Sequence, residues 1–226
     1  MISKFTFNNQ YLFEGLPEYD KDLLLKIMRV KYYRKNEAIF TDGTIPTGVF
    51  FLKEGKVKKY KVDNEGREQI IYIYNAGEFF GYPAILSEES YSDTSLTLEK
   101  SQIAFIPKND FLELLEKSSI FSRLLLKSLS HEFSVMANLM TVQSQRTVRE
   151  RIALSLLILN EKYRSEGASQ EVLITLSRTD LASMAGTANE TLARTVNEFI
   201  KEDLIQLEGR KIKLLDIKKL TEVANF

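Results

Sequence analysis

Glu190 and Arg194 are four residues apart in the stretch TDLASMAGTANETLARTVNEFIKEDLI, which runs from Thr179 to Ile205. On a helix that spacing puts both on one face. One use for them is an exposed ion pair with each other. The other is recognition. An arginine can donate two hydrogen bonds to O6 and N7 of guanine, and a glutamate can accept one from N4 of cytosine. Both reach bases when they sit at the start of a helix lying in a major groove. Asn189 and Thr191 add polar groups beside them. Arg178 and Thr179, just ahead, are placed to meet a phosphate, as are Gly209, Arg210 and Lys211 in the sequence EGRK, which also suits an ordinary polar hairpin. Gly186 splits the stretch into two short helical patterns. A small residue there lets a second helix turn sharply against the first, with Leu181, Ala182 and Ala185 packing closely and Leu192, Val196, Phe199 and Ile200 forming the inner stripe.

Other chemistry is thinly supplied. There is no cysteine, which excludes thiolate zinc sites and ordinary iron–sulfur ligation. Haem would need an axial ligand, and the sole histidine, His131, is expected to face solvent. No metal-spaced cluster or phosphate loop supports an enzyme. Charge is balanced, with 31 basic and 31 acidic residues, so net charge names no partner. No run of about 18 apolar residues exists to span a membrane. The opening MISKFTFNNQYLFEGL lacks the apolar core of a signal peptide, and a cytoplasmic location is expected.

The elements that would position these residues follow from periodicity. Leu16 to Met28 predicts a helix with Pro17 in its first turn. The period then changes to two. GVFFLKEGKVKKYKVD predicts a hairpin turning at KEGK. DNEG, Asp63 to Gly66, is a second turn leading into EQIIYIY, and LTLE with QIAFIP predicts a further pair. Such short strands between Val30 and Ile106 predict a small barrel or sandwich. PKNDFLELLEK predicts a helix, and a long one runs from about Ser119 to Gln145. Leu126, Leu129, Phe133, Met136 and Met140 recur at alternate spacings of four and three, the pattern of a coiled-coil dimer seam. The competing reading is a helix packed on its own barrel. RTVRERIALSLLILNEKYRSEG predicts an amphipathic helix ending near Gly167. VLITL predicts a short strand, and IQLEGRKIKLL a final hairpin. The expected class is α+β, with an N-terminal β-barrel or jelly roll (residues 1–117), a long dimerisation helix (118–145) and a C-terminal winged helix-turn-helix (146–226). From Thr147 to Phe226 there are twelve Lys/Arg and twelve Asp/Glu, an unusually neutral balance for a nucleic-acid binder.

In that order of elements, and above all in LSRTDLASMAGTANETLARTVNEFIKEDLIQLEGRKI, the chain resembles the Crp/Fnr family of bacterial transcription regulators. The family's recognition-helix pattern appears as Asn189-Glu190-Thr191-Leu192-Ala193-Arg194. The resemblance implies that Glu190 and Arg194 read bases and that Arg178 and the Gly209-Arg210 wing touch the DNA backbone. NAGEFFGY is similar to the start of the family's effector cassette, a cyclic-nucleotide-binding-like domain. Its cyclic-AMP binders follow Phe-x-Gly with a ribose-holding Glu, and carry downstream an Arg that pairs with the cyclic phosphate. Here Gly81 is followed by Tyr82 and Pro83, and the Arg-Ser region reads Tyr91-Ser92-Asp93. No Lys or Arg lies between Gly77 and Lys100, whereas Glu88, Glu89 and Asp93 do. An unpaired phosphate beside carboxylates runs against charge-assisted pairing. If the long helix aligns without gaps, the family's adenine-contacting pair falls at Met136-Ala137. Phe79, Phe80, Gly81, Tyr82, Tyr91 and Met136 are the candidate lining of an apolar effector pocket. Core packing is the competing role for most of them.

The expectation is therefore a homodimeric regulator binding double-stranded DNA at a palindromic operator, with RNA polymerase as a further partner. No iron–sulfur cluster, haem or cyclic AMP is expected. The alternative is a ligand- or protein-binding module whose winged helix does not bind DNA.

Overall fold

The computed structural model describes residues 2–7, 9–164 and 171–225. It divides into two compact units, residues 7–134 and residues 1–6 with 135–226.

The first unit opens with helices α1 (Tyr11–Glu14) and α2 (Glu18–Ile27). Strands follow: β1 (Arg29–Tyr33), β2 (Ala38–Phe40), β3 (Gly48–Glu54), β4 (Lys56–Val62), β5 (Glu68–Asn75) and β6 (Phe79–Phe80). Helix α3 (Tyr82–Leu86) comes next, then β7 (Thr94–Thr97), β8 (Ser101–Pro107) and helix α4 (Lys108–Lys117). The long helix α5 (Ser119–Gln145) begins here.

The expected barrel is not formed. There are two separate four-stranded sheets, ordered β1-β8-β3-β6 and β2-β7-β4-β5, and neither closes on itself or on the other. The cause lies in the turns. KEGK does not close a hairpin, because β3 belongs to one sheet and β4 to the other. LTLE and QIAFIP, now β7 and β8, are likewise divided between the sheets rather than paired. Among these turns only DNEG joins ladder neighbours, with Val62 opposite Glu68 across β4 and β5. The chain therefore crosses between sheets at corners and leaves β1, β6, β2 and β5 as edges.

Strand β3 is buried on both faces from Gly48 to Leu52. Successive side chains point to opposite faces. Val49 and Phe51 join Leu24, Phe79, Ile106, Phe111 and Phe121 in the helix-covered core. Phe50 instead meets Phe40 and Phe80, with ring centroids 5.6 and 5.4 Å away.

In the second unit α5 ends at Gln145, and Arg146 alone separates it from Thr147, the cap of helix α6 (Val148–Lys162). Thr147 and Glu150 form a reciprocal capping box. Strand β9 (Leu173–Ile174), helices α7 (Arg178–Ala185) and α8 (Asn189–Lys201), strands β10 (Ile205–Glu208) and β11 (Lys211–Leu214), and helix α9 (Ile217–Ala224) complete it. The three strands form one antiparallel sheet, β10-β11-β9.

Helix α6 is described to Lys162, and the end expected near Gly167 lies outside the described residues. It departs from expectation in not being one-sided, because every residue from Ile152 to Asn160 is buried. Helices α7, α8 and α9 all pack on it, so it is the core of the unit rather than its cover.

Candidate DNA-binding surface and effector cavity

Helix α7 is capped by Ser177, whose hydroxyl accepts from the Asp180 amide at 3.0 Å. It is stopped by Gly186 at φ 62° and ψ 50°, a left-handed conformation that glycine adopts without strain. The Thr187 amide reaches back to the Ala182 carbonyl at 3.0 Å, the bond pattern of a Schellman stop. Helix α8 then starts at Asn189, with Ala188 providing no side-chain cap. Leu192, Thr195, Val196 and Phe199 bury one stripe of α8.

The opposite face of α8 is open. Asn189, Glu190 and Arg194 are exposed and Thr191 is half-buried. The ion pair that would occupy Glu190 and Arg194 is not formed, and neither makes another among the described residues. Asn197, one turn beyond Arg194, is exposed on the same stripe. It was missed by the sequence reading, although its spacing from Glu190 and Arg194 is the signal that marks it.

Part of the neutral charge count is held in ion pairs. Glu198 and Glu202 both bind Arg149, at 3.1 and 2.7 Å, and that guanidinium lies 4.7 Å from the Phe199 ring centroid. Lys213 is engaged by Glu171. Arg194, Arg210 and Lys211 have no ion-pair partner among the described residues. Arg210 and Lys211 are exposed at the tip of the β10–β11 hairpin, where Gly209 has a φ of 60°. Thr179 is exposed. Arg178 is half-buried, its Nη1 lacks a hydrogen-bond partner, and burial lowers its pKa. A guanidinium with an unpaired nitrogen is costly to leave so.

The seam residues separate by exposure. Phe121, Leu125, Val135 and Val142 are buried along α5, whereas Phe133 is 78% exposed and Met140 70%. Leu126 and Met136 are also exposed, and Leu129 is half-buried against the core. His131 is half-buried rather than solvent-facing.

In the first unit a cavity of about 210 Å³ is lined by Phe40, Lys59, Tyr74, Gly81, Tyr91 and Asp93, among others. Of the six residues named from sequence, Gly81 and Tyr91 line it. Phe79, Phe80 and Tyr82 are 1% exposed and belong to the core, and Met136 lies on the exposed side of α5. Gly81 has φ 84°, and a Cβ there would meet the Phe50 ring at 3.1 Å. Tyr91 stacks on Phe40 at 3.8 Å and donates to the Gly48 carbonyl at 3.1 Å.

Tyr82, where a ribose-holding carboxylate would stand, turns inward. Its hydroxyl donates to the Glu132 carboxylate on α5, which also accepts from Asn9 at 3.3 Å and Ser128 at 3.4 Å. Burial pushes the Glu132 carboxyl up from its ordinary range against these hydrogen bonds. A cation does reach the cavity. The cation is Lys59 on β4, outside the segment from Gly77 to Lys100, and it is already paired with the buried Asp93 at 3.1 Å. Among the described residues no group of three or more His, Cys, Asp or Glu could hold a metal, and no helix is long and apolar enough to cross a membrane.

Comparison with known proteins agrees with this division. A cyclic nucleotide-binding domain model matches residues 30–118, and a Crp-like helix-turn-helix domain model matches residues 150–223. The transcriptional activator protein anr of Pseudomonas aeruginosa is 30% identical over 207 residues, 91% of this chain and 84% of the relative. The fumarate and nitrate reduction regulatory protein of Vibrio cholerae is 26% identical, over 92% of this chain and 84% of its own. The fold is shared with FixK2 from Bradyrhizobium japonicum, at a TM-score of 0.78 and 22% identity over 87% of this chain and 97% of that one. It is shared too with the c-di-GMP responsive global regulator CLP of Xanthomonas campestris, at 0.76 and 18% over 88% and 100%.

Proposed function

This chain belongs to the Crp/Fnr family of transcription regulators and is a DNA-binding homodimer rather than an enzyme, and from that premise we propose how its own residues work. Helix α8 enters the major groove. Arg194 donates to a guanine, Glu190 accepts from a cytosine, and Asn189, Thr191 and Asn197 add polar contacts. Arg178, Thr179 and the Gly209-Arg210-Lys211 wing hold phosphates. The carrying observation is that Glu190 and Arg194 stand exposed on the open face of α8 and ignore each other.

Residues 146–226 act as the DNA-binding domain, 118–145 as the dimerisation helix and 1–117 as the sensor. Leu126, Leu129, Phe133, Met136 and Met140 meet their counterparts across a twofold axis, so the operator is a palindrome with half-sites about 34–36 Å apart. The protein works in the cytoplasm, with RNA polymerase as a further partner. Its sensor does not take cyclic AMP, because Lys59 is neutralised by Asp93 and Tyr82 is committed to Glu132.

Selection of bound sequences from random duplex DNA tests this reading. A palindromic consensus, bound with a steep salt dependence, is the expected result. Enrichment of no sequence would refute it.

A further inference from the structure

Arg151, on the first turns of α6, makes three hydrogen bonds through one guanidinium. Its Nε donates to the Ala185 carbonyl at 2.8 Å, its Nη2 to the Gly186 carbonyl at 2.9 Å, and its Nη1 to the Arg146 carbonyl at 3.0 Å. The first two acceptors are the end of α7 and the turn before α8. The third is the single residue between the long helix and the Thr147 cap. All three are carbonyls that a helix leaves without an internal partner, at ends carrying partial negative charge.

We propose that Arg151 is a positioning residue that ties the helix-turn-helix turn to the α5–α6 junction, and so sets the spacing of the two recognition helices in the dimer. The proposal rests on the reading that α8 binds DNA. Three donors in a rigid plane fix a turn relative to a junction more tightly than any single contact. The α5 segment leading into Arg146 carries the seam residues Met136 and Met140. The chain of fixed geometry therefore runs from seam to junction, through one side chain, to the turn that launches α8. Lysine at this position keeps the charge but has no planar fork, and cannot hold the three carbonyls in one geometry.

The test uses the selected operator, the same operator with one base pair inserted between its half-sites, and a single half-site. Wild-type chain is compared with Arg151→Lys and Arg151→Ala. Loss of the clamp should weaken operator binding by about tenfold, the change that ~1.4 kcal/mol makes. It should leave half-site binding nearly unchanged and reduce the preference for the correct spacing. A merely structural role would lower operator and half-site binding together and keep the spacing preference, and that result would overturn the proposal. Arg151→Lys guards against a variant that fails to fold, since an unchanged spacing preference in it is equally fatal. A wild-type chain that selects no sequence refutes the DNA-binding reading itself, and is seen before any variant is compared.

Discussion

Replacing Phe133 with glutamate should dissociate the dimer without unfolding the chain. Full burial of a phenylalanine side chain contributes about 1.5–3 kcal/mol. Phe133 is 78% exposed in its own chain, so nearly all of that remains to be gained from a partner. Taking about 2 kcal/mol per copy, and two copies across a twofold interface, the loss is about 4 kcal/mol, or roughly a thousandfold in the dimerisation constant. A carboxylate left in an apolar seam adds to this. Sedimentation equilibrium at micromolar concentration reads the result directly. The variant should run as a monomer and bind operator weakly, keeping the circular dichroism of a folded chain because Phe133 supports little within it, although its melting temperature loses the part that dimerisation supplied. An unchanged dimer would move the interface away from this face of α5 and refute the assignment of the seam.

Arg194→Ala should weaken operator binding by about 1–3 kcal/mol and relax the preference at one G·C pair, read by competition against base-substituted duplexes. Arg210→Ala should weaken all sequences about equally and reduce the salt slope by about one; equal losses on specific and random DNA for both variants would undo the division of roles. Isothermal titration with cyclic AMP should show no binding; micromolar affinity would mean that Lys59 leaves Asp93 for the phosphate. Glu132→Gln should raise the melting temperature near neutral pH. The fold holds this carboxyl above its unfolded pKa, so keeping it ionised opposes folding there; that penalty fades as pH falls through the raised folded pKa and is gone below the ordinary carboxylate value, about 4.3. A variant with no neutral-pH gain, or a gain that grows in acid, would show that the hydrogen bonds from Tyr82, Asn9 and Ser128 outweigh burial.

The helix-turn-helix was legible because its signals are local: a helical period, a left-handed glycine at position 186 and polar residues early in α8. The long helix was legible for the same reason. Sheet membership was not. The residues around Gly55 carry hairpin chemistry, yet whether the next strand pairs with the last or crosses to another sheet depends on distant partners. Lys59 was overlooked because the cavity is assembled from β4 and the cassette, two segments apart in the chain. Helix α6 looked amphipathic because three neighbours that cover it are invisible locally. Helix α9 was not anticipated at all, although Asp216 caps it by accepting from the Lys219 amide at 2.9 Å and Leu220 and Ala224 are buried one turn apart.

The separation of the sheets also governs how the chain is made. Strand β1 pairs with β8, so Tyr32 and Gln102, bonded across that ladder, are 70 residues apart in the chain. Synthesis proceeds at about 5–20 residues per second, so β1 waits several seconds for its partner to emerge. During that interval the apolar run Val49–Leu52 has a ladder neighbour missing on its β8 side. In the winged-helix unit α6 waits comparably for α9, since Asn225 donates to Glu150 75 residues upstream, but a helix satisfies its backbone internally and leaves no strand edge unpaired meanwhile. Yield in recombinant expression should therefore be governed by the first unit. Slower growth at lower temperature should help the long-range ladder form before exposed edges find other chains.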